Sequence, residues 1–71
     1  MTAPITREVI ASAAAAHFQL ARYWASRGMS RPAIAAAREA IRWAERDRAT
    51  LQEMRPALRQ FIAQHGGRTF R

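Results

Sequence analysis

The chain contains no cysteine, no lysine and only two histidines. Without cysteine it forms neither a disulfide framework nor a thiolate zinc site, and the isolated His17 and His65 do not have the spacing of a metal-ligand pair. We therefore expect no bound metal and no cofactor.

Catalytic motifs are missing as well. Ser12, Ser26 and Ser30 stand outside any GxSxG context, and neither histidine has a carboxylate beside it in the sequence. The chain has no glycine-rich loop that would bind a phosphate. The sequence therefore predicts that the protein is not an enzyme.

Glycine and proline are scarce, with three residues of each among 71. The chain consists largely of alanine, leucine, arginine, glutamine and glutamate, which are good helix formers. We predict an all-α protein whose single domain spans residues 1–71. Its helices are expected at about 5–27, 31–54 and 56–65, followed by a flexible tail at 66–71.

Local signals place the ends of the first two helices. Thr2 or Thr6 is suited to cap the first helix, and Gly28 is suited to end it in a left-handed conformation. Ser30 is expected to cap the second helix, whose first turn accepts Pro32. Since only a short turn separates the two helices, they should pack as an antiparallel hairpin.

Two signals compete at the end of the second helix. Apolar positions stay in phase from Ala33 to Ile62, which favours one long helix kinked near Pro56. Thr50 and Glu53 form a capping-box pattern, which favours a third helix folded back from about Thr50. We prefer the long, Pro-kinked second helix and keep the third helix as the alternative.

The first helix is apolar over most of its circumference. One stripe, expected to pack against the second helix, comprises Ile5, Val9, Ala13, Ala16, Leu20, Tyr23 and Trp24. The stripe on nearly the opposite side comprises Ile10, Ala14, Phe18, Ala21 and Ala25. A two-helix protomer covers only one stripe, so the other should be buried by a folded-back third helix or by a second copy. We favour a homodimeric helical bundle with an interface of Ile10, Ala14, Phe18, Ala21, Leu58 and Ile62.

Long hydrophobic runs are absent. No window of about 18 residues lacks charged or strongly polar side chains, so no membrane span is predicted. The segment VIASAAAA after Arg7 and Glu8 imitates the apolar part of a secretory signal, but the charge of Glu8 at its edge argues against that interpretation. We expect a cytoplasmic protein.

Negative charge is also scarce. Five acidic residues stand against twelve basic ones, all of them arginine, and the formal net charge is +7. Arginine side chains bind carboxylates and phosphates, so acidic proteins, nucleic acids and anionic membrane surfaces are admissible partners. Nucleic acid would be contacted by Arg55, Arg59, Arg68 and Arg71 and by the tail GGRTFR.

Leu20, Ala21, Trp24, Gly28, Ala33 and Ala40 stand at the spacing of a known helical repeat. Over about 30 residues the chain resembles one tetratricopeptide-type hairpin, although His17, Ala37 and Glu45 replace the tryptophan, aromatic and proline of that pattern. The resemblance implies recognition of proteins through helical surfaces, without catalysis. In size and composition the chain is also similar to the small helical proteins with which phages and mobile elements disable host proteins.

The sequence as a whole predicts a protein-binding module that regulates or inhibits a target by occluding its surface. The target is expected to offer an apolar patch with an acidic rim, because tryptophan and arginine dominate binding hot spots. The expected partner-binding residues are Trp43, Met54, Phe61, Arg38, Arg42, Arg46 and Arg59. The alternative function is a basic nucleic-acid-binding dimer that acts as a transcriptional regulator.

Overall fold

A computed structural model describes residues 5–66, and within this range the chain forms three α-helices and no strand. The helices are α1 (Arg7–Ser26), α2 (Ser30–Ala44) and α3 (Arg48–Gly66). The predicted all-α class is confirmed. Of the tail predicted at 66–71, only Gly66 is among the described residues, and it ends α3. Thr2, one of the two predicted caps of the first helix, lies outside the described residues.

Both ends of α1 follow from their local sequence. The hydroxyl of Thr6 accepts a hydrogen bond from the backbone N–H of Val9 at 3.3 Å, as an N-cap residue does. Gly28 has a φ of +76°, and the N–H of Met29 donates to the carbonyl of Trp24 at 2.9 Å. This Schellman ending favours glycine because other residues are strained in the left-handed conformation.

The N-cap position of α2 is occupied by Met29, which makes no side-chain capping bond. The prediction that Ser30 caps this helix is therefore wrong. Met29 is extended while its N–H closes the end of α1, so Ser30 becomes the first helical residue. Pro32 follows in the first turn, where the N–H that proline lacks would have no helical partner.

The helical structure is interrupted at residues 45–47, well before Pro56. One carboxylate oxygen of Asp47 accepts hydrogen bonds from the backbone N–H of Thr50 at 3.0 Å and from its hydroxyl at 2.7 Å. The other accepts a bond from Nε of Arg7 at 3.2 Å. Asp47 thereby caps α3, because its carboxylate satisfies an N–H that the helix leaves free. The long, Pro-kinked second helix is wrong, and the alternative of a folded-back third helix is what the chain forms.

Pro56 lies inside α3, and the helix continues beyond it to Gly66. A proline at this position removes the backbone hydrogen bond to the carbonyl of Gln52. Gln52 and Pro56 are both exposed, so the freed carbonyl can bond to water and needs no protein partner. The exposed side of a helix therefore tolerates the proline that was expected to kink or end it.

The helices run up, down and up. A three-residue connection turns α2 back along α1. α3 runs parallel to α1, since Asp47 bonds to Arg7 at its start and Phe61 meets Phe18 further along, with ring centroids 5.7 Å apart. α2 packs against both neighbours, whereas α1 and α3 touch least. The outer side of α1 and the α2–α3 junction are therefore separate surfaces.

The core consists largely of alanine. Within the described range, the fully buried alanines are Ala14, Ala21, Ala33, Ala37, Ala40 and Ala44, and Leu58 is the only large side chain buried to that degree. Alanine lets helix backbones approach closely and loses no rotamer freedom on folding. The helices therefore pack close together, and few large side chains contribute to the core.

α1 turns toward the core with the side opposite to the predicted one. The buried side comprises Ile10, Ala14 and Ala21. The exposed large residues of the other side are Ile5 (57% exposed), Val9 (47%), Leu20 (43%) and Tyr23 (48%). The prediction that the first stripe packs against α2 is wrong for these four residues, because the alanine side allows the closer fit against the alanines of α2. Trp24, which belongs to the same predicted stripe, is half-buried and packs against the core.

The capping carboxylate of Asp47 predicts a pH dependence of stability. Hydrogen bonds from the hydroxyl and N–H of Thr50, with the charge of Arg7, hold the pKa of Asp47 below its ordinary value. A lowered folded-state pKa contributes stability above the unfolded value of about 3.9, and this contribution is lost as the pH falls through the folded-state pKa. We expect acid to lower the thermal midpoint of the wild type more than that of Asp47→Asn.

The comparison is a pair of thermal unfolding curves measured by circular dichroism between about pH 6 and pH 2. Asparagine is itself a good N-cap residue, so the amide oxygen of Asp47→Asn can keep the cap on Thr50, while the substitution removes the titrating group and its ion pair with Arg7. The other carboxylates are common to both proteins. Midpoints that fall in parallel would contradict the role assigned to Asp47.

Candidate functional site

Most of the predicted dimer surface lies inside one protomer. Four of its residues are buried and two are half-buried against the core; in order they are Ile10, Ala14, Ala21 and Leu58, then Phe18 and Ile62. The third helix supplies the cover, because the ring of Phe61 meets that of Phe18 edge-on. This interface prediction is wrong for the four buried residues, since side chains buried within one chain leave no surface for a second copy, whereas Phe18 and Ile62 remain partly exposed.

The predicted apolar anchors offer little to a partner. Phe61 is only 8% exposed, so its assignment as an exposed anchor is wrong. Met54 is half-buried and packs against the core. Trp43 is half-buried, and the guanidinium of Arg46 lies 4.4 Å from the centre of one of its rings. Trp43 follows Ile34 by nine positions, which places the two on opposite sides of α2.

A cleft of about 440 Å³ opens between the first half of α2 and the end of α3. Its lining residues are Ser30, Arg31, Ile34, Ala35, Arg38, Ile62, His65 and Gly66. Ile34 and Ile62 are half-buried and give the cleft an apolar surface, whereas Arg31 and Arg38 are exposed. No carboxylate of residues 5–66 lines it, so an apolar surface and positive charge occur together there.

The close approach of α3 to α2 shapes this cleft. A Cβ atom at Gly66 would lie 2.9 Å from Cδ1 of Ile34, so a larger residue there would displace the isoleucine. The ring of His65 lies 4.4 Å from that of Phe61, measured between centroids. His65 thus lines the cleft and also contacts Phe61 of the core.

A smaller cleft, of about 160 Å³, lies further along the same two helices. Its lining residues are Ile41, Glu45, Leu51, Arg55, Leu58 and Arg59. Ile34 and Ile41 are seven residues apart on one side of α2, so both clefts open on the same side of the bundle. We call this surface, with the lining of both clefts, the α2–α3 face. Glu45 is the one carboxylate among its lining residues.

The predicted basic residues divide between this face and its surroundings. Arg38 lines the larger cleft and Arg59 the smaller one. Nη1 of Arg42 lies 3.8 Å from Oε1 of Glu39, and both side chains are substantially exposed. An exposed ion pair of this kind contributes about 0–1 kcal/mol, so it holds Arg42 only loosely. Arg46 lies apart, over the ring of Trp43.

Sequence reasoning missed Arg31, Ile34 and His65 as site residues. Arg31, Arg38 and Arg42 recur at helical spacing, and this pattern indicates one basic side of α2. No sequence pattern indicated that Ile34 and Ile62 line one cleft, because this placement requires α3 to fold back along α2. Within residues 5–66 no group of histidine and carboxylate side chains could hold a metal ion. No helix of that range has the length and hydropathy of a membrane span.

No family model matches the chain, and searches of curated proteins and of solved structures found no match. The resemblances to a tetratricopeptide-type hairpin and to the helical inhibitors of phages therefore remain predictions.

Proposed function

We propose that this protein is a non-catalytic binding module that regulates or inhibits a partner protein by covering part of the partner's surface. The observation that carries the proposal is the larger cleft of the α2–α3 face, in which Ile34 and Ile62 lie beside Arg31 and Arg38, with no carboxylate among the described residues that line it. Apolar side chains of a partner would fill the cleft, and its acidic groups would pair with the arginines.

The occupant we propose is an amphipathic helix whose apolar side is flanked by aspartate or glutamate. A groove between two helices accepts such a segment through apolar anchors spaced three and four residues apart. The volume of about 440 Å³ is at the lower end of binding-site volumes, so it takes a few side chains and no more. Binding here would cover the functional surface of the partner, which is inhibition by occlusion.

A second candidate is the basic nucleic-acid-binding regulator. It is favoured by the exposed arginines of the α2–α3 face, Arg31, Arg38, Arg55 and Arg59, which could follow a phosphate backbone. The isoleucines of the larger cleft favour protein instead, because phosphates bind to polar groups and gain nothing from an apolar surface.

The deciding experiment titrates three labelled probes by fluorescence anisotropy: an amphipathic Leu/Glu helical peptide, its Leu/Lys counterpart and a short DNA duplex. We expect the acidic peptide to bind most tightly and Arg38→Glu to weaken it about tenfold or more, since a charge-assisted hydrogen bond contributes about 1.5–3 kcal/mol. Arg48→Glu is the matched control. Arg48 is exposed and lies about 26 Å along α3 from His65.

Isoleucine methyl resonances locate the bound peptide. The methyl groups of Ile34 and Ile62 should shift on titration, whereas that of Ile5 should not. Equal binding of the two peptides, or shifts that spare Ile34 and Ile62, would refute the proposal. Preferential binding of duplex DNA with a steep salt dependence that Arg55→Ala or Arg59→Ala reduces would establish the second candidate instead.

A further inference from the structure

The two clefts of the α2–α3 face lie in line with each other between the same two helices. Ile34 lines the larger cleft and Ile41 the smaller one, seven residues further along α2. The rise between them is about 10.5 Å at 1.5 Å per residue. The lining residues that α3 contributes to both clefts fall within a sector of roughly 120°; they are Leu51, Arg55, Leu58, Arg59, Ile62, His65 and Gly66. The two clefts are therefore successive parts of one groove.

Two arginines stand where the clefts meet. Along α2, Arg38 is the last residue that lines the larger cleft, and the next lining residue, Ile41, belongs to the smaller one. Along α3, Arg59 is the last residue that lines the smaller cleft, and the next one, Ile62, belongs to the larger one. Because α2 and α3 run antiparallel, the two arginines come to the same level of the groove from opposite walls.

The charges of these two arginines are not neutralised within the described part of the chain. Both side chains are exposed, and neither forms an ion pair within residues 5–66. The one carboxylate among the lining residues, Glu45, follows Arg38 by seven positions and lies about 10.5 Å further along α2, at the far end of the smaller cleft. The middle of the groove therefore combines two cations with an apolar cleft on each side, and both would attract an anion placed there.

We propose that the partner helix lies along the whole groove, with one apolar side chain in each cleft and a carboxylate between them that Arg38 and Arg59 bind. This inference rests on the proposed function and narrows the partner to one pattern of residues. Each guanidinium offers several N–H donors, so the two arginines together can bind both oxygens of one aspartate or glutamate. The apolar contacts hold the helix in the groove, and the charges fix its register.

The distance between the clefts sets the spacing of the partner's apolar residues. Two residues seven positions apart on an α-helix lie about 10.5 Å from each other along its axis and only about 20° apart around it, which matches the separation of Ile34 and Ile41. Residues four positions apart span about 6 Å and reach one cleft only. The position three or four residues after the first apolar residue then faces the two arginines. Helices that bind in grooves commonly carry another apolar residue there, whereas this groove selects aspartate or glutamate.

The first test compares the binding of two labelled helical peptides of identical composition to the full chain by fluorescence anisotropy. Both are built on an alanine and glutamine host. One carries leucines seven residues apart, with a glutamate four residues after the first leucine. In the other the glutamate and the second leucine are exchanged, so the leucines are four residues apart. We expect the first peptide to bind about tenfold more tightly or better, because only this peptide places an apolar side chain in each cleft. The methyl resonances of Ile34 and Ile41 should shift together as it binds.

The second test exchanges charges between the protein and the peptide. Arg38→Glu and Arg59→Glu should each weaken binding of the first peptide about tenfold. A lysine in place of the peptide's glutamate should reverse the preference, so that this peptide binds the double variant more tightly than the wild type. Arg27→Glu is the matched control, because Arg27 is exposed and its guanidinium lies over the ring of Tyr23 on the outer side of α1. Unchanged helical circular dichroism shows that each variant is folded.

The outcomes separate this inference from the proposed function. Equal affinity of the two leucine peptides, with shifts at Ile34 and Ile62 but none at Ile41, would overturn the two-cleft arrangement and leave the larger cleft as a binding site. Failure of both peptides, and of the acidic Leu/Glu peptide, to shift Ile34 and Ile62 would contradict the inference and the proposed function together. A first peptide that binds more tightly, but whose affinity Arg38→Glu and Arg59→Glu leave unchanged, would overturn the role of the central carboxylate.

Discussion

Replacing Leu58 by alanine is expected to destabilise the protein by about 2–5 kcal/mol and to lower its thermal midpoint by roughly 10–25 °C. Leu58 is the one large side chain that is fully buried among residues 5–66, and its core cluster holds five alanines and Phe61, with Met54 and Ile62 packed against it. The alanine side chains are too short to fill the cavity left behind. Repacking of the larger neighbours would therefore recover only part of the lost contacts.

The size of the molecule makes this loss severe. A domain of 71 residues has a total stability of about 4–11 kcal/mol at 0.05–0.15 kcal/mol per residue. Leu58→Ala would therefore remove a large part of the total, and a partly unfolded population at 37 °C is the expected result. Chemical unfolding with urea, followed by circular dichroism, measures the change in free energy.

Leu51→Ala is the matched control for this substitution. Leu51 lies on the same helix and lines the same smaller cleft as Leu58, but it is only half-buried. The same three carbon atoms are removed, but much of the space they leave is already open to water. We expect less than half of the loss caused by Leu58→Ala. Equal losses for the two variants would show that α3 does not pack on α2 as described.

The helical fold could be predicted from the sequence, but the side of α1 that faces the core could not. Both sides of α1 are apolar, and the outer one carries the larger residues, such as Val9 and Leu20. A hydrophobicity argument therefore favours burying the wrong side. Packing depends on shape as well as on transfer free energy, and the side with Ala14 and Ala21 fits closely against the alanines of α2.

The interruption between α2 and α3 could also have been predicted from the sequence. Asp47 stands three residues before Thr50, and an aspartate in that position caps a helix by accepting the N–H of the third helical residue. The capping-box pattern of Thr50 and Glu53 pointed to the right region with the wrong capping residue. The sequence interpretation placed the interruption at Pro56, nine residues too late. A proline on the exposed side of a helix is compatible with a continuing helix.

The candidate site could be predicted only in part. The basic character of α2 follows from the spacing of its arginines, Arg38 among them, and Arg59 of α3 was also predicted as a partner-binding residue. The larger cleft needs Ile62 and His65 beside Ile34, and no local pattern encodes that meeting of α2 with α3. Errors in topology therefore propagate: a chain assumed to have one long second helix has exposed residues at 58–62 and no cleft.

The second large effect is expected from adding volume to the alanine core. Ala40→Leu should destabilise the protein by about 1–3 kcal/mol or more and lower its thermal midpoint by roughly 5–20 °C. Ala40 is fully buried in a core cluster that also contains Ala37 of α2 and Ala21 of α1. A leucine at this place has no empty volume to enter, so α1 and α2 would have to separate and many close contacts would be lost along both helices.

Ala35→Leu separates this effect from the general cost of leucine in a helix. Ala35 is exposed on the same helix, and leucine is nearly as good a helix former as alanine, so its substitution should change stability by no more than about 0.5 kcal/mol. Thermal and urea unfolding of the two variants give the contrast directly. If Ala40→Leu were as stable as Ala35→Leu, the α1–α2 contact would be loose enough to admit larger side chains. The alanine content of the core would then need another explanation than close helix packing.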